Sequence, residues 1–159
     1  MRDGVLGVRH TVQMGHRLWS LPGLCTNLHG HTWDVTLKMT GSRNREGMLL
    51  DYHYVKKEFR SYLDSNFDHR LCLHDQDPLI QHIMNAKRDP NAHPMTATKR
   101  QDLINALYPG VVTVNFLPST ENMAELWAAA AKTLFGSSFY QYTVELWEGD
   151  KNYASVTIE

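Results

Sequence analysis

The residues with the most chemistry lie between Cys25 and His31, where a thiol and two imidazoles fall within seven residues. Alternate side chains of an extended strand share a face, so His29 and His31 are expected to point the same way. With a third imidazole from a neighbouring strand, for which His16 is the candidate, they suit a tetrahedral zinc ion. Three protein ligands leave a fourth position open for water or substrate, which is typical of a catalytic site.

Cys25, four residues before His29, fits more than one role. As a fourth ligand it would close the zinc site, and without any metal it would be a small buried hydrophobic residue. Beside an open zinc site its thiolate would be stabilised and could accept a proton, which is the role we predict. Cys72 has no comparable neighbourhood and is predicted to be structural.

The dipeptide Asp68-His69 is a second candidate for proton transfer. It could instead end a helix, where a cationic imidazole interacts favourably with the helix dipole. In the functional interpretation the carboxylate orients an imidazole that moves protons, as in catalytic triads. The residues alone leave both interpretations open.

Glu148 ends an apolar stripe, which is unusual because an unpaired buried carboxylate costs several kcal/mol. It therefore needs a partner, either an internal base or the donors of a ligand. The guanidine-like edge of a pterin or guanine presents adjacent N–H groups that fit a carboxylate bidentately. Glu145 points to the other face and is predicted to be structural or interfacial.

Two strands are predicted to position the imidazoles. Apolar residues alternate over 6–16 and again over 29–39, which predicts strands with one buried face. A polar turn is predicted over 41–47, and the two long strands are expected to form a hairpin. Such a hairpin would bring His16, His29 and His31 to the same end of one face.

The rest of the chain predicts an α+β fold. Helical spacing is present over 51–64 and over 120–135, where Ser119 is the expected N-cap, Glu121 favours the dipole and Gly136 ends the helix. Two further strands are predicted over 140–148 and 153–159. We expect one domain over 1–159, with a four-stranded antiparallel sheet and two helices on one face. The order is ββααββ.

Residues 74–116 form an irregular insertion between the two helices in this interpretation, because Asp-Pro, His-Pro and Pro-Gly steps punctuate them. Short helices are predicted over 79–86 and 98–107, and a short strand over 111–116.

The composition excludes several classes of protein. A formal net charge of −1 over 159 residues gives no electrostatic reason to expect nucleic acid or an anionic membrane as partner. Two cysteines are too few for a secreted disulfide framework, no apolar run reaches transmembrane length, and the first residues do not resemble a signal peptide. We expect a cytoplasmic protein.

Six motifs, taken in order, resemble the 6-pyruvoyl-tetrahydropterin synthase / 6-carboxytetrahydropterin synthase family and cover nearly the whole chain. They are His16-Arg17-Leu18, Cys25-x-x-x-His29-Gly30-His31, Gly47-Met48-Leu49-Leu50-Asp51-Tyr52, Leu63 to Asp68-His69, Pro118-Ser119-Thr120-Glu121-Asn122-Met123-Ala124, and Val144-Glu145-Leu146-Trp147-Glu148. The resemblance implies the tunnelling fold, or T-fold, and homo-oligomers, commonly hexamers, with sites between subunits.

The resemblance also assigns a role to each candidate residue. It implies zinc ligands at His16, His29 and His31, catalytic residues at Cys25, Asp68 and His69, and substrate-binding residues at Glu148, Ser119 and Glu121.

The three-residue spacer between Cys25 and His29 resembles the bacterial 6-carboxytetrahydropterin branch, whereas the pyruvoyl branch has a longer spacer. That branch converts 7,8-dihydroneopterin triphosphate to 6-carboxy-5,6,7,8-tetrahydropterin, acetaldehyde and triphosphate, on the route to 7-deazaguanines and queuosine. A sibling lyase that makes 6-pyruvoyltetrahydropterin or 6-hydroxymethyldihydropterin is the first alternative. The second is a non-catalytic pterin- or purine-binding module, which would need neither Cys25 nor the Asp68-His69 pair.

The chain departs from the family pattern at four places: residues 12–15, Ser119 in place of threonine, Gly149 in place of threonine, and the long segment 74–116. These differences affect the shape of the pocket, specificity and assembly. None falls on the implied zinc ligands or proton-transfer residues.

Overall fold

The computed structural model describes residues 2–86, 102 and 108–159. Six strands lie in these ranges: β1 (Asp3–His16), β2 (His29–Ser42), β3 (Arg70–His74), β4 (Val111–Val114), β5 (Gln141–Glu148) and β6 (Asn152–Ile158). The helices of the same ranges are α1 (Tyr52–Asn66), α2 (Pro78–Ala86) and α3 (Thr120–Phe135), with short 3-10 turns at Leu24–Thr26 and Gly136–Ser138.

The described strands form one mixed sheet in the order β4-β3-β1-β2-β5-β6. β1 and β2 are an antiparallel hairpin in which Val8 lies opposite Leu37, and Val12 lies opposite Trp33. β5 and β6 continue the antiparallel part, whereas β3 is parallel to β1 and β4 is parallel to β3. Directly opposed apolar pairs keep one face of the central strands apolar.

The helices α1 and α3 cover this apolar face. Phe59 and Leu63 of α1 and Trp127 of α3 are almost completely buried against it, and Trp127 packs edge-on to Trp33. Full burial of each such side chain contributes about 1.5–3 kcal/mol. The opposite face is polar and carries exposed ion pairs, including that between Arg9 and Asp34.

The prediction of a four-stranded, wholly antiparallel sheet was wrong, because β3 and β4 extend the sheet beyond β1 as parallel strands. No strand was predicted at β3, because its contiguous apolar residues Leu71, Cys72 and Leu73 show no alternation. The short helix predicted over 79–86 is confirmed as α2, and the strand predicted over 111–116 is confirmed as β4. The predicted helix over 98–107 lies outside the described residues.

The described helices are all too short or too polar to cross a membrane.

Candidate metal centre

The β1–β2 hairpin brings the three predicted histidines together. Its register places His16 opposite His29, and Met14 opposite His31. The ring centroids of His16 and His29 lie 4.6 Å apart, those of His29 and His31 lie 4.9 Å apart, and those of His16 and His31 lie 5.3 Å apart. One nitrogen from each ring falls within 4.8 Å of the other two. The prediction that the strands deliver these imidazoles to one place is confirmed.

Two backbone carbonyl groups select the tautomer of His16 and of His29. Nδ1 of His16 lies 2.7 Å from the carbonyl oxygen of Pro118, and Nδ1 of His29 lies 2.8 Å from that of Asn27. Because a carbonyl oxygen only accepts, each Nδ1 carries the proton and donates it. In a neutral ring with this tautomer the lone pair lies on Nε2, which is the form that binds metals.

The surroundings of the third ring disfavour its protonated form. Burial lowers the pKa of His31, the carboxylate of Glu148 opposes this, and the neighbouring His16 and His29 lower the pKa further. Nε2 of His16 and of His31 are buried and have no hydrogen-bond partner among the described residues. An unsatisfied buried polar atom costs about 1–3 kcal/mol, so converging lone pairs of this kind fit a bound metal ion. Three nitrogen donors suit zinc.

Glu148 lies beside the three histidines, because β5 pairs it with Trp33 of β2. Its Oε1 lies 3.0 Å from Nε2 of His16 and 3.3 Å from Nε2 of His31. His16 chiefly holds the pKa of Glu148 below its usual value, although burial acts in the opposite direction; His31 and His29 lower it further. The carboxylate therefore adds negative charge beside the three imidazoles, which makes the group as a whole favourable for a cation.

Trp33 forms the floor of the cluster, a role that the sequence did not predict. Its ring packs edge-on against His16 at 4.9 Å and against His31 at 5.7 Å, and its Nε1 donates to the carbonyl oxygen of Met14 at 2.9 Å. The tryptophan is fully buried and fixes the position of both imidazoles.

Cys25 lies in the exposed 3-10 turn that precedes β2. The N–H of Leu18 donates to the carbonyl oxygen of Cys25 at 2.7 Å, which closes the loop between β1 and β2. Within the described ranges, the group whose ligand atoms lie within 4.8 Å contains the three histidines and not this thiol. In this structure Cys25 therefore does not belong to the candidate metal-binding group, and its role in proton transfer stays a prediction.

Cys72 lies in the core and is fully buried. Burial raises the pKa of its thiol to about 12, so the thiol stays protonated at neutral pH. These observations agree with the structural role predicted for it.

Asp68 and His69 form the predicted pair at the edge of the sheet. Nδ1 of His69 lies 2.7 Å from Oδ2 of Asp68, while Oδ1 of Asp68 accepts from the N–H of Gln13 at 2.8 Å. Burial alone would raise the pKa of Asp68, but the Gln13 N–H and His69 outweigh it and the pKa is lowered. The helix cap is Phe67 rather than this pair, so the geometry is that of a carboxylate orienting an imidazole.

His69 adopts a left-handed backbone conformation, with φ of 56°, which few residues other than glycine occupy. Its side chain is 80% exposed. It lines an open cavity of about 580 Å³ together with Gln13 and Thr32, which belong to the exposed face of the sheet, and with His31. The pair therefore lies beside the two strands that carry the histidines but outside the histidine cluster.

The first turn of α3 is also joined to the site. Oγ of Ser119 accepts from the N–H of Asn122 at 3.3 Å, which confirms the predicted N-cap. The preceding residue, Pro118, supplies the carbonyl that binds His16, and Glu121 is exposed in the same turn. Substrate binding by Ser119 and Glu121 stays a prediction.

Comparison with known proteins gives a consistent result. The family model described as 6-pyruvoyl tetrahydropterin synthase matches residues 6–159. A Rickettsia felis protein named 6-carboxy-5,6,7,8-tetrahydropterin synthase is 26% identical over 106 residues, which cover 60% of this chain and 77% of that protein. A protein of the same name from Rickettsia conorii is 25% identical over 121 residues, 70% of this chain and 86% of that protein.

Solved structures share the fold. An uncharacterized protein from Wolinella succinogenes has a TM-score of 0.78 at 22% identity, with all of both chains covered. A Plasmodium vivax 6-pyruvoyltetrahydropterin synthase mutant has a TM-score of 0.69 at 18% identity, covering 100% of this chain and 99% of that one. The predicted T-fold class is therefore confirmed, with a six-stranded mixed sheet in the described residues instead of the predicted four strands.

Proposed function

The chain belongs to the 6-pyruvoyl tetrahydropterin synthase family, and from this premise we propose that it is a zinc-dependent lyase of the 6-carboxytetrahydropterin branch. The proposed reaction converts 7,8-dihydroneopterin triphosphate and water to 6-carboxy-5,6,7,8-tetrahydropterin, acetaldehyde and triphosphate, for 7-deazaguanine and queuosine synthesis in the cytoplasm. The observation that carries the proposal is the convergence of three imidazoles on one place, two of them with Nδ1 bound to a backbone carbonyl. The names of the curated relatives and the three-residue spacer before His29 support this branch.

His16, His29 and His31 would hold the zinc ion through their free nitrogens. When bound, zinc supplies Lewis-acid polarisation of the hydroxyl groups on the side chain of the substrate. The Pro118 and Asn27 carbonyls keep two of the imidazoles in the required tautomer.

Cys25 and His69 are proposed to move the protons. The thiol of Cys25 is exposed in the turn just before β2, four residues from His29, and is therefore open to a substrate. Asp68 accepts a hydrogen bond from Nδ1–H of His69, so Nε2 of His69 is left to take up and return a proton. Tautomerisation, phosphate elimination and carbon–carbon cleavage each need such transfers.

Glu148 is proposed to orient the pterin ring. Its Oε1 faces the histidines, which leaves Oε2 to accept an N–H of the guanidine-like edge. Ser119 and Glu121, in the first turn of α3 beside Pro118, are proposed as further substrate contacts.

The exposure of His69 supports a site that is shared between subunits. In one chain its imidazole points to solvent on the polar side of the sheet and lies outside the histidine cluster. We infer a homo-oligomer, hexameric as the family resemblance implies, in which His69 of one copy acts at the site of another. The partner of the enzyme is a small pterin, not nucleic acid or membrane.

The test is incubation of zinc-loaded protein with dihydroneopterin triphosphate, followed by identification of the products by mass spectrometry. Acetaldehyde with a 6-carboxypterin is expected. A 6-pyruvoyltetrahydropterin product would assign the sibling reaction, and tight pterin binding without turnover would contradict both enzymes. Cys25→Ala should abolish turnover and keep zinc; loss of zinc would instead identify Cys25 as a ligand.

A further inference from the structure

A buried ion pair adjoins the metal centre. Nε and Nη2 of Arg17, the residue after His16, donate to Oδ2 and Oδ1 of Asp77 at 2.7 and 2.6 Å. Asp77 is completely buried, whereas the side chain of Arg17 is 21% exposed. The two charges are bound in the bidentate geometry that gives the strongest and most directional guanidinium–carboxylate contact.

Asp77 is itself fixed by the start of α2. Its Oδ1 accepts from the N–H of Leu79 at 2.8 Å, and its carbonyl oxygen accepts from the N–H of Gln81 at 3.1 Å. A carboxylate held on a helix start and removed from water is a rigid anchor. Because β3 and α2 are joined by a short turn, this anchor lies just past the edge of the sheet, beyond the end of β1.

Arg17 links Asp77 to the loop that carries the thiol of Cys25. The next residue, Leu18, donates its N–H to the carbonyl oxygen of Cys25 at 2.7 Å. The hydroxyl of Thr26 donates to the carbonyl oxygen of Trp19 at 3.3 Å, so both sides of the loop are tied together. The ion pair of Arg17 therefore fixes the backbone next to Leu18, to which the Cys25 turn is hydrogen-bonded.

We propose that Asp77 is a positioning residue for the reaction: through Arg17 it fixes where the Cys25 turn lies relative to the histidine cluster. This inference rests on the proposed role of Cys25. A pair that served stability alone would be needed for folding but would not define where the thiol lies.

Two variants test the proposal. Asp77→Asn keeps an oxygen for the Leu79 N–H, so the start of α2 is retained, but its amide group cannot accept both guanidinium donors. Arg17→Lys keeps the charge that neutralises Asp77 and removes the planar fork, which guards against a variant that fails to fold. The matched control is Asp34→Asn, which breaks the exposed Arg9–Asp34 pair on the other face of the sheet.

The kinetic readout separates positioning from binding. In both variants we expect kcat to fall about 10- to 100-fold, as misplacement of a reacting group does, with KM and zinc content close to those of the wild type. Asp34→Asn should behave as the wild type. Variants that fold, bind zinc and keep the wild-type kcat would overturn the proposal.

A second readout does not depend on turnover. The rate at which iodoacetamide alkylates Cys25 should change on zinc loading in the wild type, and this zinc effect should be lost in Asp77→Asn and Arg17→Lys. Cys72 is buried and does not contribute. A zinc effect that persists in both variants would contradict positioning by Asp77. No zinc effect in the wild type would contradict the proposed role of Cys25, and with it this inference.

Discussion

Among single residues, the histidines differ in what their second nitrogen contacts. His16 and His29 give their Nδ1 protons to backbone carbonyls, whereas His10, on the same face of β1, contacts Asp64 at 2.6 Å. A histidine committed to a carboxylate on a helix forms a structural link between β1 and α1. The partner of the ring, rather than its place on an apolar stripe, separates a ligand from a structural histidine.

This difference gives a matched pair of variants. His16→Ala should reduce zinc to well below one equivalent after dialysis, because two remaining imidazoles bind weakly. His10→Ala should keep zinc and lose about 1–3 kcal/mol of stability with its hydrogen bond to Asp64. Metal analysis and denaturant unfolding measure the two effects. Equal zinc loss in both variants would mean that the metal does not lie at the cluster.

The two thiols should differ sharply in reactivity. At pH 8 iodoacetamide should modify Cys25, which is exposed, and leave Cys72 unmodified in the folded protein. The pKa of Cys72 is raised to about 12, so its reactive thiolate is scarce until the pH approaches that value. Peptide mapping identifies the modified residue, and Cys25→Ser is the control that should take up no label. Comparable labelling of Cys72 would show that the core opens readily.

At the scale of elements, Gly41 allows the end of β2 to approach the chain before β5 closely. A Cβ on Gly41 would lie 2.9 Å from a ring carbon of Phe139 and 3.0 Å from the carbonyl oxygen of Ser138. A Cβ on Gly7, in the neighbouring strand, would meet nothing closer than 3.8 Å. The first contact requires a shift of backbone, and the second is ordinary packing.

We therefore expect Gly41→Ala to destabilise the protein by about 1–3 kcal/mol, as overpacking does. Gly7→Ala should be neutral or stabilise it by up to about 1 kcal/mol, because alanine loses less conformational freedom in a strand. Urea unfolding of the two variants measures both free energies. If Gly41→Ala is as stable as Gly7→Ala, the contact with Phe139 is looser than described.

The elements that could be predicted from sequence are those whose pattern repeats locally. The four long strands and the helices α1 and α3 have clear periods of two or 3.6 residues, and the hairpin register follows from them. β3 has only five residues, and its partners lie on β1 and β4, far away in the chain. Tertiary pairing rather than local pattern makes it a strand.

The site was predictable to the same extent. Alternation brought His16, His29 and His31 to one end of a face, and Glu148 to the end of a neighbouring stripe. The partners that give these residues their state could not be predicted. The carbonyl that binds His16 is 102 residues away, at Pro118, and the carboxylate that binds Arg17 is 60 residues away.

At the scale of the whole molecule, the described sheet ends at β4 and β6, and its polar face is exposed. Exposed strand edges are templates for pairing with another chain. The sheet also presents His69 on this exposed side, from which, in the proposed function, it acts at the site of another copy. Assembly and catalysis are therefore linked in the proposed function.

The protein should form an oligomer, with a hexamer as the expected state. Native mass spectrometry should give a multiple of the 18.3 kDa chain. Mixing inactive Cys25→Ala with inactive His69→Ala should restore part of the activity, because mixed oligomers contain sites with both intact residues. A monomer with full activity would contradict the shared site.

The most direct measurement is anomalous diffraction at the zinc edge from crystals of the zinc-loaded protein. We expect a single strong peak within bonding distance of Nε2 of His16, His29 and His31, with no bond to the sulfur of Cys25. A protein that binds no zinc at this cluster, or a zinc ion closed by Cys25 as a fourth ligand, would contradict it.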